Sequence, residues 1–277
     1  MQARARKGNG VADMINHMKK VIALLALLPG FVWAASAEIN YDMEAFEADL
    51  ENKPSLQNGM RMYMNYCLGC HSLKFQRYER TADDLGIPHE IALENLIFTD
   101  QKIGDLMTNA MVPEKAKNWF GASPPDLTMI TRYKSAEYVY NYLKTFYVDD
   151  SRPLGTNNKI FENVGMPNVL ADLQGVQRNG CVQVPQIAEN GGERRDPYTG
   201  ETITEEKCDE LYLEEGTGLM SPEEFDQAVY DLTNFLYYVG EPSRLERHRI
   251  GIGVMLFLII LACFTYLLNR EYWKDVH

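Results

Sequence analysis

Residues 65–75 read "NYCLGCHSLKF". Two cysteines and a histidine, Cys67, Cys70 and His71, fall within five residues of a chain that has only five of each type. Cys-x-x-Cys-His is the attachment pattern of a c-type haem. Each thiol adds across one vinyl group of the porphyrin. The two intervening residues, Leu68 and Gly69, let both sulfurs reach the same edge, and the adjacent imidazole becomes the proximal iron ligand. A redox Cys-x-x-Cys pair sits near a βαβ pattern, and none is visible. A zinc site would need a second ligand pair at short spacing, which the scattered remaining cysteines do not offer. The motif occurs once, so one covalently bound haem c is expected.

The surrounding pattern is helical. "SLQNGMRMYMNYC" opens on Ser55, a good N-cap residue, and places Leu56, Met60, Tyr63, Met64 and Cys67 at three-to-four spacing. This predicts an amphipathic helix that delivers the cysteines. "DLTMI" opens at a possible cap, Asp126, and "SAEYVYNYLKTFYV" opens at Ser135. In "SPEEFDQAVYDLTNFLYYVGEP", Ser221 and Glu224 form a capping box with Pro222 in the first turn. Phe225, Val229, Leu232, Phe235, Leu236 and Val239 make its apolar stripe, predicted to pack near the first helix. No strand pattern stands out, and there is no internal repeat. The expected fold is mainly α: a c-type haem domain over 38–243 with one C-terminal transmembrane helix.

The two ends carry targeting signals. Lys19 and Lys20 precede a short apolar run, 21–33, and Ala35-Ser36-Ala37 is an A-x-A cleavage pattern. Pro29 and Gly30 interrupt that run, which is shorter than the ~20 apolar residues of a span. Residues 1–37 therefore read as a signal peptide, with Met14 as an alternative start and a mature chain beginning near Glu38. Residues 250–268 are 19 uncharged, apolar positions, long enough to cross a bilayer. Arg244, Arg247 and Arg249 precede them, and Arg270, Tyr272, Trp273 and Lys274 follow, as at a membrane interface. Charge bias alone would put the arginine-rich flank inside. The export signal outweighs that small difference, so the haem domain is expected on the periplasmic side of the cytoplasmic membrane, with 244–277 as a single-pass anchor and short inner tail.

The sixth iron position is open to fewer residues than composition suggests. Met60, Met62 and Met64 lie on the helix before the motif. His89, in a loop, is the remaining histidine away from both ends. Met166 sits between Gly165 and Pro167 in "ENVGMPNVL", a loop where glycine permits close approach and proline adds stiffness.

"YCLGCHSLKFQRY", "GASPPDLTMITR" and "VGMPN", in this order between the signal and the anchor, resemble the cytochrome c1 family, the haem subunits of cytochrome bc1 complexes. The match in order and spacing covers nearly all of the mature chain. It implies Met166 as the sixth ligand. It also implies that Pro124, Pro125 and Arg132 help form the haem surroundings, with Arg132 or Lys134 facing a propionate. The resemblance further implies an electron-transfer subunit of ubiquinol–cytochrome c reductase, not an enzyme by itself. Such a subunit takes electrons from the Rieske iron–sulfur protein and passes them to a soluble or membrane-bound cytochrome c. Cytochrome b would pack against the anchor, and the complex would be dimeric. Two other readings share the motif: a membrane-anchored cytochrome feeding a terminal oxidase, and a haem enzyme or gas sensor whose sixth site is open.

The segment 180–218 is long, polar and acidic, and departs from the family's simplest form. It holds Cys181 and Cys208, which in an oxidising compartment suggest a disulfide contributing roughly 3 kcal/mol in the chain-entropy model. Cys263 reads as a small apolar residue of the anchor. From Glu38 to Glu241 there are 35 acidic and 17 basic residues, a formal charge of −18. This balance and the lack of basic runs exclude nucleic acid as an expected partner and suit an acidic face toward a basic redox partner. Intact-mass spectrometry of the purified protein is expected to give a chain starting near Glu38 with the mass of one haem added; a chain retaining residues 1–37 would contradict the signal reading.

Overall fold

The computed structural model describes residues 41–188 and 191–274. The expected signal peptide and the last three residues lie outside the described residues.

The first helix, α1 (Lys53–Tyr66), starts earlier than the sequence suggested. Asn52 is its cap, accepting the Ser55 amide at 3.2 Å. Pro54 falls in the first turn, where its missing N–H costs no hydrogen bond. Ser55 is thus inside the helix and buried, and its hydroxyl donates to Asp231 Oδ1 at 2.6 Å. After α1 come β1 (Leu73–Arg77), α2 (Tyr78–Leu85), α3 (His89–Asn95), β2 (Leu106–Met107) and α4 (Pro113–Phe120). The helix expected from Asp126 begins only at α5 (Ile130–Tyr133). Asp126 is engaged beforehand: its carboxylate accepts from the Lys74 and Thr128 amides at 2.8 and 3.0 Å. Helix α6 (Ala136–Lys144) is capped by Ser135, as read, but ends sooner, because Phe146–Val148 pairs as β3 with β4 (Thr156–Asn158). A short α7 (Ala171–Gln174) leads to β5 (Gln177–Pro185) and β6 (Thr204–Leu213). Then comes the long α8 (Pro222–Gly240), with the Ser221–Glu224 capping box formed in both directions.

Helices α1 and α8 form the spine. All six residues of the predicted α8 stripe are buried, against Leu56, Met60 and Tyr63 of α1 among others. Their crossing is unusually close. A Cβ on Gly59 would lie 2.0 Å from the Asp231 carbonyl oxygen and 2.6 Å from Phe235 Cβ. Beside the crossing, the buried Asp231 carboxylate also accepts from Asn58 Nδ2 at 2.7 Å and Gln227 Nε2 at 2.9 Å. Three neutral donors thus satisfy a charge that would be costly if left bare. Asn234 on α8 ties down the chain entering α1, donating to the Asp49 carbonyl at 2.8 Å and accepting its amide at 3.1 Å.

The fold is mostly helical, as expected, but strands are present. Among the described residues there are three two-stranded antiparallel sheets. The acidic segment is the longest of them, the β5–β6 ribbon, bridged by a Cys181–Cys208 disulfide. Sequence periodicity missed it because most of its residues are solvated on both faces, so no apolar alternation marks a core side. Past α8, the last helix α9 (Arg244–Tyr272) contains the predicted span and has no buried residue. Its mean hydropathy reaches 2.6 over its most apolar stretch, and it is long and apolar enough to cross a membrane.

Gly59→Ala is expected to destabilise the protein by about 1–3 kcal/mol through overpacking, even though alanine favours a helix by about 1 kcal/mol. The atom it meets is backbone and cannot rotate away. An unchanged or raised unfolding midpoint by circular dichroism would refute the tight crossing.

Candidate functional site

The turn that ends α1 carries the motif. Cys67 N donates to the Tyr63 carbonyl at 2.9 Å, and His71 N donates to the Cys67 carbonyl at 2.8 Å. This compact turn sets Cys67, Cys70 and His71 along one cavity. Neither cysteine is in a disulfide. Burial, with Cys70 adding to it, pushes the Cys67 thiol up to about 12. That is the opposite of the low-pKa thiol of a redox Cys-x-x-Cys site.

His71 is held at its ring and at its backbone. Its Nδ1 lies 2.7 Å from the Pro125 carbonyl oxygen, which can only accept. Nδ1 therefore carries the proton and Nε2 keeps its lone pair. Tyr63, buried in the spine, donates its hydroxyl to the His71 carbonyl. Burial lowers the imidazole pKa, partly opposed by the Pro125 bond and by Asp126, so the neutral ring is favoured. Pro124 and Pro125 both line the cavity. The stiff pair is registered against the motif by Leu127 N donating to the Ser72 carbonyl at 3.0 Å and by the Asp126–Lys74 contact.

The cavity is about 370 Å³, within the ~300–1,000 Å³ range of small-molecule and cofactor sites. Phe120, Leu127, Ile130, Val139, Leu143, Phe161, Val164 and Leu236 give it an apolar wall, and Met166 reaches the same space on the loop after β4. Gly165 lets the loop pass close to its neighbour: a Cβ there would make a tight 3.0 Å contact with the Phe120 carbonyl oxygen. The Met166 sulfur accepts from the Tyr142 hydroxyl at 3.6 Å. Burial raises the Tyr142 pKa, which keeps this phenol protonated.

Other predicted residues are sorted by the fold. Lys134 lines the cavity, its ammonium 5.1 Å from the Tyr138 ring centre. Arg132 does not line it; it is half exposed and pairs with Glu241 at 3.6 Å. His89 is away from the cavity, bonded to Asp83 at 2.8 Å on the surface, and that hydrogen bond raises its pKa. Sequence reading missed Tyr142, Phe120 and Phe161, because cavity-lining aromatics look like ordinary core. It also missed Asn109, whose side-chain amide donates to the Leu68 carbonyl at 2.8 Å while its backbone amide donates to Ser72 Oγ at 3.1 Å. These two bonds clamp the motif turn from outside, and nothing in the local sequence announces them.

The donor set fits a haem. Two free thiols, an imidazole with one nitrogen committed, a thioether and a single lysine ammonium face one apolar cavity. Nitrogen and thioether ligands with covalent thiol attachment are what a low-spin haem c requires. Fold and site together define a c-type cytochrome.

Comparison with known proteins narrows the class. Residues 48–189 and 212–276 match the model of the cytochrome C1 family. The chain is 49% identical over 260 residues to cytochrome c1 of Allochromatium vinosum, covering 94% of this chain and 99% of that protein. It is 39% identical over 261 residues to a protein of Nitrosomonas europaea named ammonia monooxygenase gamma subunit, covering 94% and 100%. Against cytochrome c1 of Rhodobacter capsulatus the identity is 25% over 295 residues, covering 92% and 97%. The chain belongs to the cytochrome c1 family, whose members are haem c electron-transfer subunits of the bc1 complex. Residues 190–211, which include Cys208 and most of the β6 sequence, fall outside the family match.

Asn109→Ala is expected to cost about 1 kcal/mol of stability, the usual net worth of one hydrogen bond, and to lower the yield of haem-attached protein by loosening the motif turn. Equal yield and an equal unfolding midpoint would show that the clamp has no such role.

Proposed function

We propose that this chain holds one haem c through thioether bonds from Cys67 and Cys70, with His71 Nε2 and Met166 Sδ as axial ligands. In this reading it carries electrons from the Rieske iron–sulfur protein to a cytochrome c acceptor. The observation that supports this best is the His71–Pro125 bond, since it commits one ring nitrogen at 2.7 Å and leaves the other free in an apolar cavity that Met166 shares.

The haem iron supplies a reversible one-electron ferric–ferrous couple, and no bond to a substrate is made or broken by the protein. The chain's residues would hold the two iron-binding side chains in place whether the iron were oxidised or reduced. His71 is fixed at its ring by Pro125 and at its backbone by Tyr63, and Met166 is fixed by the Gly165–Pro167 loop and by Tyr142. The apolar wall excludes water, which disfavours the extra positive charge of the ferric state and raises the potential. Lys134 is the basic residue best placed to face a propionate, in preference to Arg132.

Helix α9 would anchor the chain in the cytoplasmic membrane, packed against cytochrome b, with the haem domain on the periplasmic side and the complex a dimer. Its wholly exposed apolar surface supports a lipid or membrane-protein environment.

The test is the absorption spectrum of the detergent-solubilised protein, oxidised and reduced. A low-spin spectrum with a weak far-red sulfur-to-iron band is expected, with the band lost and high-spin features gained in Met166→Ala. A high-spin or carbon monoxide-binding spectrum in the unmutated protein would favour a haem enzyme or gas sensor instead.

A further inference from the structure

The Tyr142 hydroxyl makes one hydrogen bond among the described residues, and it goes to a sulfur: 3.6 Å to Met166 Sδ. Tyr142 is half-buried, and a phenol largely shielded from water usually finds an oxygen or nitrogen partner. The ring is not free to look for one. It stacks on Tyr138, with centroids 6.0 Å apart and planes at 13°, and meets Phe146 edge-on at 5.1 Å. The Tyr142 backbone is fixed too, its carbonyl accepting from Asn158 Nδ2 at 2.8 Å. The hydroxyl is therefore delivered to the thioether by rigid packing on both sides, at the wall of the cavity that holds the motif.

A thioether sulfur has two lone pairs. One can bind a metal while the other accepts a hydrogen bond. An O–H donated to the second pair withdraws electron density from sulfur and weakens it as a donor. The ferric state needs that donation more than the ferrous state does, so the bond favours reduction. It also fixes which lone pair, and so which face of the sulfur, points into the cavity.

We propose that Tyr142 is a positioning residue for Met166, selecting the sulfur lone pair that faces the metal and raising the reduction potential through its hydrogen bond. This rests on Met166 being an axial ligand, as proposed above.

The experiment uses the full-length, haem-loaded protein in detergent and compares it with Tyr142→Phe and Met166→Ala. Tyr142→Phe keeps the ring and its packing and removes only the donor. It is expected to keep the far-red sulfur-to-iron band but shift its position, and to lower the equilibrium constant for reduction by up to about tenfold, a downward shift of up to ~59 mV for one electron. Band and potential both unchanged in Tyr142→Phe, while Met166→Ala abolishes the band, would overturn the role of Tyr142 and leave Met166 as ligand. Absence of the band from the unmutated protein would overturn both. An independent measurement avoids mutation: in the reduced, diamagnetic protein, proton NMR should show a slowly exchanging Tyr142 hydroxyl with a nuclear Overhauser contact to the Met166 methyl. Rapid exchange with no such contact would refute the bond even if Tyr142→Phe failed to fold.

Discussion

Helix α1 can lie against α8 only because residue 59 has no side chain. With the Asp231 carbonyl 2.0 Å from where a Cβ would sit, any larger residue would push the helices apart. The rest of the haem site depends on this contact. It buries Tyr63, and the Tyr63 hydroxyl then reaches the His71 carbonyl just past the helix end. It also buries the Asp231 carboxylate, whose three neutral donors come from both helices and so fix their rotation as well as their separation. Position and angle of the motif follow from the spine, so a change at Gly59 acts at a distance on where Cys67, Cys70 and His71 stand.

The site itself is built from segments far apart in sequence that stiffen one another. The motif turn is held from inside by Tyr63 and from outside by Asn109. The Pro124–Pro125 segment presents a carbonyl that chooses the histidine tautomer. The Met166 loop is pressed on the Phe120 carbonyl at Gly165 and met by the Tyr142 hydroxyl. A carrier that gains and loses an electron reacts fastest when little rearranges, and each of these contacts removes a way for His71 or Met166 to move. Among the described residues the cavity wall carries no carboxylate and no cation besides Lys134, which serves the same end, since a largely apolar wall does not reorganise as water would.

The β5–β6 ribbon is of a different kind. It has no buried residue, is cross-linked by its disulfide, and most of its second strand lies outside the family match. Several of its acids are already paired: Asp209 with Lys159, Glu214 with Arg178, and Glu210 with Lys207. These pairs reduce the field that a simple count of charges assigns to the segment. A docking face read from that count alone would therefore be overstated, although Glu205 and Glu206 stay exposed.

The sequence by itself determined what is written in local spacing. Cys67, Cys70 and His71 are legible because the Cys-x-x-Cys-His pattern lies within five residues. The α8 helix is legible because its cap and stripe lie within one run, and the apolar α9 because its length and composition would suit a bilayer crossing. Two contacts between distant segments were legible, the packing of α8 near α1 from its apolar stripe and the Cys181–Cys208 bridge from the oxidising compartment, and the others only through resemblance or not at all. Ser55 looked like a cap because serine caps well, but Asn52 takes that role and the Ser55 hydroxyl turns inward to Asp231, 176 residues away. Arg132 and Lys134 are two residues apart and chemically alike, and only the turn into α6 sends one to Glu241 and the other to the cavity. Tyr142 is one tyrosine in a tyrosine-rich helix until the fold sets its hydroxyl against a sulfur 24 residues away. Covalent pattern and chain length act along the chain and can be read there, whereas tautomer choice, close crossing and ligand orientation arise between segments that meet only when the chain is folded.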